Sequence, residues 1–189
     1  MEWCIPMHTF QVENVQLGNI SSGPKAIIPL AYKDAEFTFP SLVCLLPNVE
    51  VASYNHATGQ LVLSLEKCPQ ILHKLVKFQD MLLTAVHVNQ TKWFDTHVRK
   101  MQDIRSKYQP LIIDNFLHLY CPLQTQGIPL YSAGGWTMGS THAAVLEPGK
   151  KVKIVFKLQG ISFHIHPGSG AWSGKFRLQH RIIAVLQGP

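Results

Sequence analysis

Two runs in the second half of the chain alternate between apolar and cationic positions. In "KKVKIVFKLQ", Lys151, Lys153, Lys157 and Gln159 share one parity, while Val152, Ile154, Phe156 and Leu158 share the other. In "GKFRLQHRI", Lys175, Arg177, Gln179 and Arg181 alternate with Phe176, Leu178, His180 and Ile182. Successive side chains of a strand point to opposite faces. Each run therefore predicts a strand with one buried face and one basic face. The glycine-rich "PGSGAWSGK" between them predicts a turn that folds the pair into a hairpin.

Elsewhere the period changes. In "CPQILHKLVKFQDMLLTAVHVNQ", Ile71, Leu72, Leu75, Val76, Leu82, Leu83 and Val86 recur at helical spacing, and Pro69 suits a first turn. This predicts an amphipathic helix over 69–88. A second, more polar helix is expected over "FDTHVRKMQDIRSKY", residues 94–108, capped by Asp95 or Thr96, with Val98, Met101 and Ile104 as a narrow apolar stripe. Before the helices, residues 8–65 read as short strands ("AIIPLAY", "EFTFP", "LVCLL", "QLVLSL"), with "YNHATGQ" as a hairpin loop. After them, "PLIIDNFLHLYCPL" reads as a strand with a bend and "YSAGGWTMGSTH" as a long glycine-containing loop around Trp136. The expected class is β-rich α+β, an OB-like small barrel or antiparallel sheet with a central helical insert. A single domain over 1–189 is expected, with the insert at about 69–108 and a basic β half at about 110–186.

Charge sharpens this picture. The formal net charge is +6, and its placement is uneven. Residues 1–89 carry five Lys/Arg against seven Asp/Glu, whereas residues 90–189 carry twelve against four. A halved charge distribution of −2 and +8 points to an anionic partner for the second half. The four cysteines include no CxxC pair, and the start of the chain lacks a secretory pattern. No apolar run approaches the roughly 20 residues that span a bilayer. An intracellular protein with reduced thiols and no membrane partner is expected.

The cations outline a candidate site. If the two alternating strands pair, their basic faces lie on one side of the sheet and track phosphates. Aromatic rings nearby would stack bases. Trp136 in the long loop and Trp172 in the hairpin turn are preferred over Trp93 and Phe94, which read as core. His164 and His166 in "HIH" have a spacing compatible with a metal, but no third ligand can be placed, and they are assigned as secondary phosphate contacts. Arg99, Lys100, Arg105 and Lys107 would extend the groove from the second helix. "GSGAWSGK" departs from a phosphate loop at Ser169 and Phe176 and sits between strands, so that reading fails. No nucleophile-elbow or zinc-protease pattern occurs, and the carboxylates are scattered. Neither an enzyme nor a cofactor is expected.

Across residues 37–186 the order of segments resembles the single-stranded DNA-binding proteins of large double-stranded DNA viruses. The likeness rests on Trp93-Phe94 after a helix, Tyr108-Gln109-Pro110 after a short one, and the closing strands Val155 to Phe163 and Lys175 to Gln179. The resemblance implies an oligonucleotide-binding barrel that coats displaced strands in replication or recombination, at the nucleus or a viral factory. It also implies assembly along the strand and recruitment of replication proteins. Such proteins often end in an acidic tail, whereas this sequence ends in "LQGP". The expectation is a sequence-tolerant binder of single-stranded DNA, with Lys151, Lys153, Lys157, Lys175, Arg177 and Arg181 on phosphates. The alternative is a jelly-roll shell or assembly protein with a basic inner face.

Overall fold

A computed structural model describes residues 3–21, 25–94, 97–132 and 135–187, with the backbone alone for 135–138. The first half holds β1 (Ile5–Pro6), β2 (Val15–Leu17), β3 (Ala26–Lys33), β4 (Thr38–Phe39), β5 (Leu42–Leu45), β6 (Val49–Asn55) and β7 (Gln60–Ser64). Two helices follow, α1 (Pro69–Trp93) and α2 (Met101–Lys107). The second half holds β8 (Tyr108–Gln109), β9 (Ile112–Ile113), β10 (Phe116–Tyr120), β11 (Pro129–Ser132), β12 (Gly135–Ser140), β13 (Lys151–Ile165) and β14 (Trp172–Gln187). The result is a β-rich α+β fold built on one large sheet.

The expected hairpin is the spine of that sheet. β13 and β14 pair antiparallel along nearly their whole length, from Val152↔Gln187 to Ile165↔Trp172. Val152, Ile154, Phe156 and Leu158 are buried, as their alternation predicts. The parity then flips. A register shift between Leu158 and Gly160 turns Ile161 and Phe163 inward instead. The other edge of β13 takes three strands in succession: β6 at Lys151–Val152, β5 at Val155–Leu158 and β3 at Gly160–Phe163. At Gly160 the backbone of β3 comes so close that a Cβ would stand 2.3 Å from the Ile28 carbonyl oxygen. Only glycine permits that approach.

From β13 the ladder runs through β6, β7 and β10 to β9. The sheet curls along this path, because β10 returns against β14. There the Tyr120 backbone N–H donates to His180 Nε2 at 2.8 Å, in place of a strand ladder. β8 lies parallel to β14 beside this seam, with Phe176↔Tyr108 and Arg177↔Gln109 in register.

The helices differ from expectation in extent. α1 continues past residue 88 to Trp93 and buries Ile71, Leu75, Phe78, Leu82, Leu83, Val86 and Gln90. Phe78 takes the core position for which Val76 was expected, and Val76 is exposed. Phe78 meets Phe10 edge-on at 5.8 Å, which fastens α1 to the N-terminal segment. Lys77 pairs with Glu13 there, holding the Glu13 carboxyl below its ordinary range. α2 spans only Met101–Lys107. Residues 97–100 are not helical, because the buried Gln90 side chain takes their backbone as its partner. Gln90 Oε1 accepts the Arg99 N–H at 2.7 Å, and Gln90 Nε2 donates to the Arg99 carbonyl at 2.9 Å. The caps expected at Asp95 and Thr96 lie outside the described residues.

Two loop readings are also corrected. Residues 135–140 form β12, paired antiparallel with β11, so much of the long glycine segment is strand. The bent strand at 111–123 is a tight hairpin of β9 and β10, turning at Asp114, whose φ is 54°. The hairpin loop predicted at 54–60 joins β6 and β7 as expected. Among the described residues no helix is long and apolar enough to cross a membrane.

Candidate functional site

The parallel pairing of β8 with β14 builds a strongly cationic concavity. β8 follows α2 directly, and Tyr108 docks on Phe176 with ring centroids 5.1 Å apart. That contact brings α2's last turn beside β14. The groove between them has a volume of about 620 Å³. Lys25, Lys107, Lys175 and Arg177 supply its charge, and among the described residues no carboxylate lines it. Its floor is the edge of an aromatic cluster: Phe163 and Phe176 are nearly buried, and Tyr108 is half-buried. Burial also pushes the Tyr108 phenol well above its ordinary pKa, and its hydroxyl donates to Gln79 Oε1 on α1 at 3.3 Å.

The predicted cations divide into groups. Lys107, Lys175 and Arg177 meet in the groove, with His164 at its end. Lys157 and Arg181 sit directly opposite each other across the hairpin, on its outer face. Like charges in that register repel. Arg181 borders a separate depression with Gln126, Ile128 and Pro129. Lys151 and Lys153 lie at the far end of β13, where Lys151 is in register with Glu50. The basic face is thus spread along the whole hairpin, and its groove collects only part of it.

The residues expected to extend the groove from the second helix mostly face elsewhere. Arg105 reaches Asp80 on α1 at 3.4 Å. Lys100 is exposed at the start of α2 and does not line the groove. Arg99 turns inward. Its guanidinium lies 5.1 Å from the centre of the Trp172 ring and donates to the Trp172 carbonyl at 3.2 Å. The third wall of its slot is Gly174, where a Cβ would fall 3.1 Å from Arg99 Cζ. Arg99 Nε is buried with no hydrogen-bond partner among the described residues.

Trp172 requires a correction. It was expected on the surface of the hairpin turn, but it is only 3% exposed. Its ring stacks on Phe94 at 4.8 Å, meets Phe163 edge-on at 5.5 Å, and donates its indole N–H to the Lys175 carbonyl at 3.0 Å. It belongs to the core that supports the groove, together with Trp93 and Phe94. The Trp136 side chain lies outside what is described. His164 and His166 have ring centroids 6.0 Å apart, but His166 lies beyond the end of β13 and does not line the groove. The His164 ring instead bonds Ser173 Oγ at 2.9 Å. Among the described residues no group of three or more His, Cys, Asp or Glu is placed to hold a metal ion.

Lys25 and Gln109 in the groove were not singled out from the sequence. Lys25 arrives because β3 pairs with β13 up to Ala26↔Phe163, a long-range contact without a local signal. Gln109 does stand in the Tyr108-Gln109-Pro110 segment, and its position opposite Arg177 comes from the parallel pairing.

On the far side of Arg177 a second depression, of about 240 Å³, opens at the seam between β14 and β10. It shares Gln109, Arg177 and Gln179 with the first groove and adds Gln60, Pro110, His118, Tyr120 and His180. Burial holds the His180 imidazole down to about 4, despite a partly offsetting hydrogen bond to the Leu178 backbone. The ring is therefore neutral and keeps Nε2 as an acceptor. No protein-family model, curated protein or solved structure matches this chain.

Proposed function

We propose that this chain binds single-stranded nucleic acid, DNA in the first instance, through the groove between α2–β8 and β14. The observation that carries the reading is the groove lined by Lys25, Lys107, Lys175 and Arg177, with no carboxylate on its lining among the described residues. Four cations converging on one concavity repel one another unless an anion lies among them. A ribbon of phosphates supplies charge at a repeat that a strand with cations at alternate positions can follow. Tyr108 at the floor offers a half-buried ring to a base.

An oligonucleotide-binding barrel is part of the same proposal. Its support is the path β14–β13–β6–β7–β10 returning to β14, with α1 inserted in sequence between β7 and β10. The coating of displaced strands during replication or recombination, with further copies along the strand and replication proteins as partners, extends this reading.

The test is fluorescence anisotropy with labelled oligo-dT at low and moderate salt, with duplex competitor. Binding should weaken with a log–log salt slope of roughly −0.7 per phosphate contacted, and duplex should compete poorly. Absence of binding at low salt defeats the proposal. Closed assemblies seen by light scattering without nucleic acid would favour a shell protein instead.

A further inference from the structure

The depression at the β14–β10 seam differs in chemistry from the groove beside it. Apart from Arg177 on the shared wall, its lining carries no Lys, Arg, Asp or Glu among the described residues; its polar groups are the amides of Gln60, Gln109 and Gln179 and the rings of His118 and His180. Its walls also include Pro110, Leu111 and Leu178, so a flat apolar face can be covered there. We propose that this depression is a nucleobase subsite, so that the bound strand is read at one base rather than held by its phosphates alone. The inference rests on the groove's being a nucleic-acid site.

Three observations carry it. First, the depression and the groove are contiguous, with Gln109 and Arg177 in register on neighbouring strands and Gln179 next on the same face of β14. A phosphate at Arg177 leaves its sugar and base to fall on one side or the other, and this side is lined by amides, imidazoles and apolar groups rather than by further cations. Second, the volume of about 240 Å³ is below the roughly 300–1,000 Å³ of pockets for drug-sized ligands. It suits one planar ring system, and the 54%-exposed Tyr120 stands on its lining as a stacking surface.

Third, the polar groups are arranged to read an edge. Gln179 Nε2 donates to Gln159 Oε1 at 3.0 Å, which fixes the amide and leaves its own oxygen as an acceptor. Gln60 is held by His118 Nδ1 at 3.4 Å. Gln109 has no side-chain hydrogen bond among the described residues, so both its donor and its acceptor are available. Its backbone is pinned by the β8 pairing, which limits where that amide can reach. Glutamine amides pair with base edges through one donor and one acceptor, and unstacked bases of single strands expose those edges.

The experiment compares labelled homopolymers of dT, dC and dA with an abasic oligonucleotide and inorganic polyphosphate of matched charge, for wild type and Gln109→Ala. Wild type should discriminate among the homopolymers by roughly fivefold or more and bind the abasic strand more weakly. Gln109→Ala should level the homopolymers while leaving the salt slope unchanged. Equal affinity for all homopolymers, the abasic strand and polyphosphate overturns the base subsite and leaves a polyanion groove. A uniform loss across all ligands in Gln109→Ala also overturns it. Failure of every ligand to bind at low salt defeats the nucleic-acid reading itself, which is a different outcome. Gln179→Ala, on β14, gives an independent second variant that should likewise level the homopolymers and leave the salt slope unchanged.

Discussion

The backbone N–H of Tyr120 donates to His180 Nε2 across 2.8 Å, joining β10 to β14 where no strand ladder pairs them among the described residues. An imidazole closes the sheet only while it is neutral. Protonation would turn Nε2 from acceptor to donor, facing another donor.

This fixes the direction of a pH effect. Burial lowers the His180 pKa from 6.5 to about 4, so the unfolded chain binds the proton more tightly than the folded one. The stability it contributes is complete above the unfolded value and is lost as pH falls through the window between the two. The loss should approach about 3 kcal/mol, read as a drop in urea midpoint between about pH 7.5 and about pH 4.5. His180→Leu should flatten that part of the profile and lower stability at neutral pH by about 1–3 kcal/mol, because Tyr120 N–H loses its acceptor. An unchanged profile in the variant would assign the acid sensitivity to other groups.

Gly160 predicts a large local effect. With a Cβ placed 2.3 Å from the Ile28 carbonyl and 2.8 Å from Ile27 Cγ1, Gly160→Ala must push β3 off β13. A loss on the order of 3 kcal/mol is expected in thermal unfolding. Gly127→Ala, where a Cβ would meet nothing within 4 Å, should stay within about 0.5 kcal/mol of wild type.

Trp172 should behave as core. Trp172→Ala removes the ring that Phe94, Phe163 and Arg99 pack against, so a loss of about 3–5 kcal/mol is expected in urea unfolding, with a changed near-ultraviolet dichroism spectrum. Trp172→Phe keeps the stacking partner and should recover much of that stability. Normal stability in Trp172→Ala would contradict the packing described.

The cations of the hairpin should separate by position. Lys175→Ala and Arg177→Ala, in the groove, should each reduce the log–log salt slope for oligo-dT by roughly 0.7. Lys151→Ala and Lys153→Ala, at the far end of β13, should leave the slope nearly unchanged. Equal effects from all four would replace the groove with a diffuse basic face.

The alternation of Lys175, Arg177 and Arg181 with Phe176, Leu178 and Ile182 determined a strand with a buried and a basic face, since period two is local and survives any partner. The helical spacing of Ile71, Leu75, Leu82 and Val86 determined α1 for the same reason. The charge split determined which half would be basic. What tertiary structure decided was which cations share a site. A bulge at Gly160 reversed the parity of β13, a parallel pairing brought Gln109 beside Arg177, and β3 delivered Lys25 from the acidic half. It also took Trp172 out of solvent. A glycine-rich turn suggests exposure, but the neighbours that bury this ring, Phe94 and Arg99, come from more than seventy residues away. Periodicity records which face a residue takes; only long-range pairing sets what lies opposite that face.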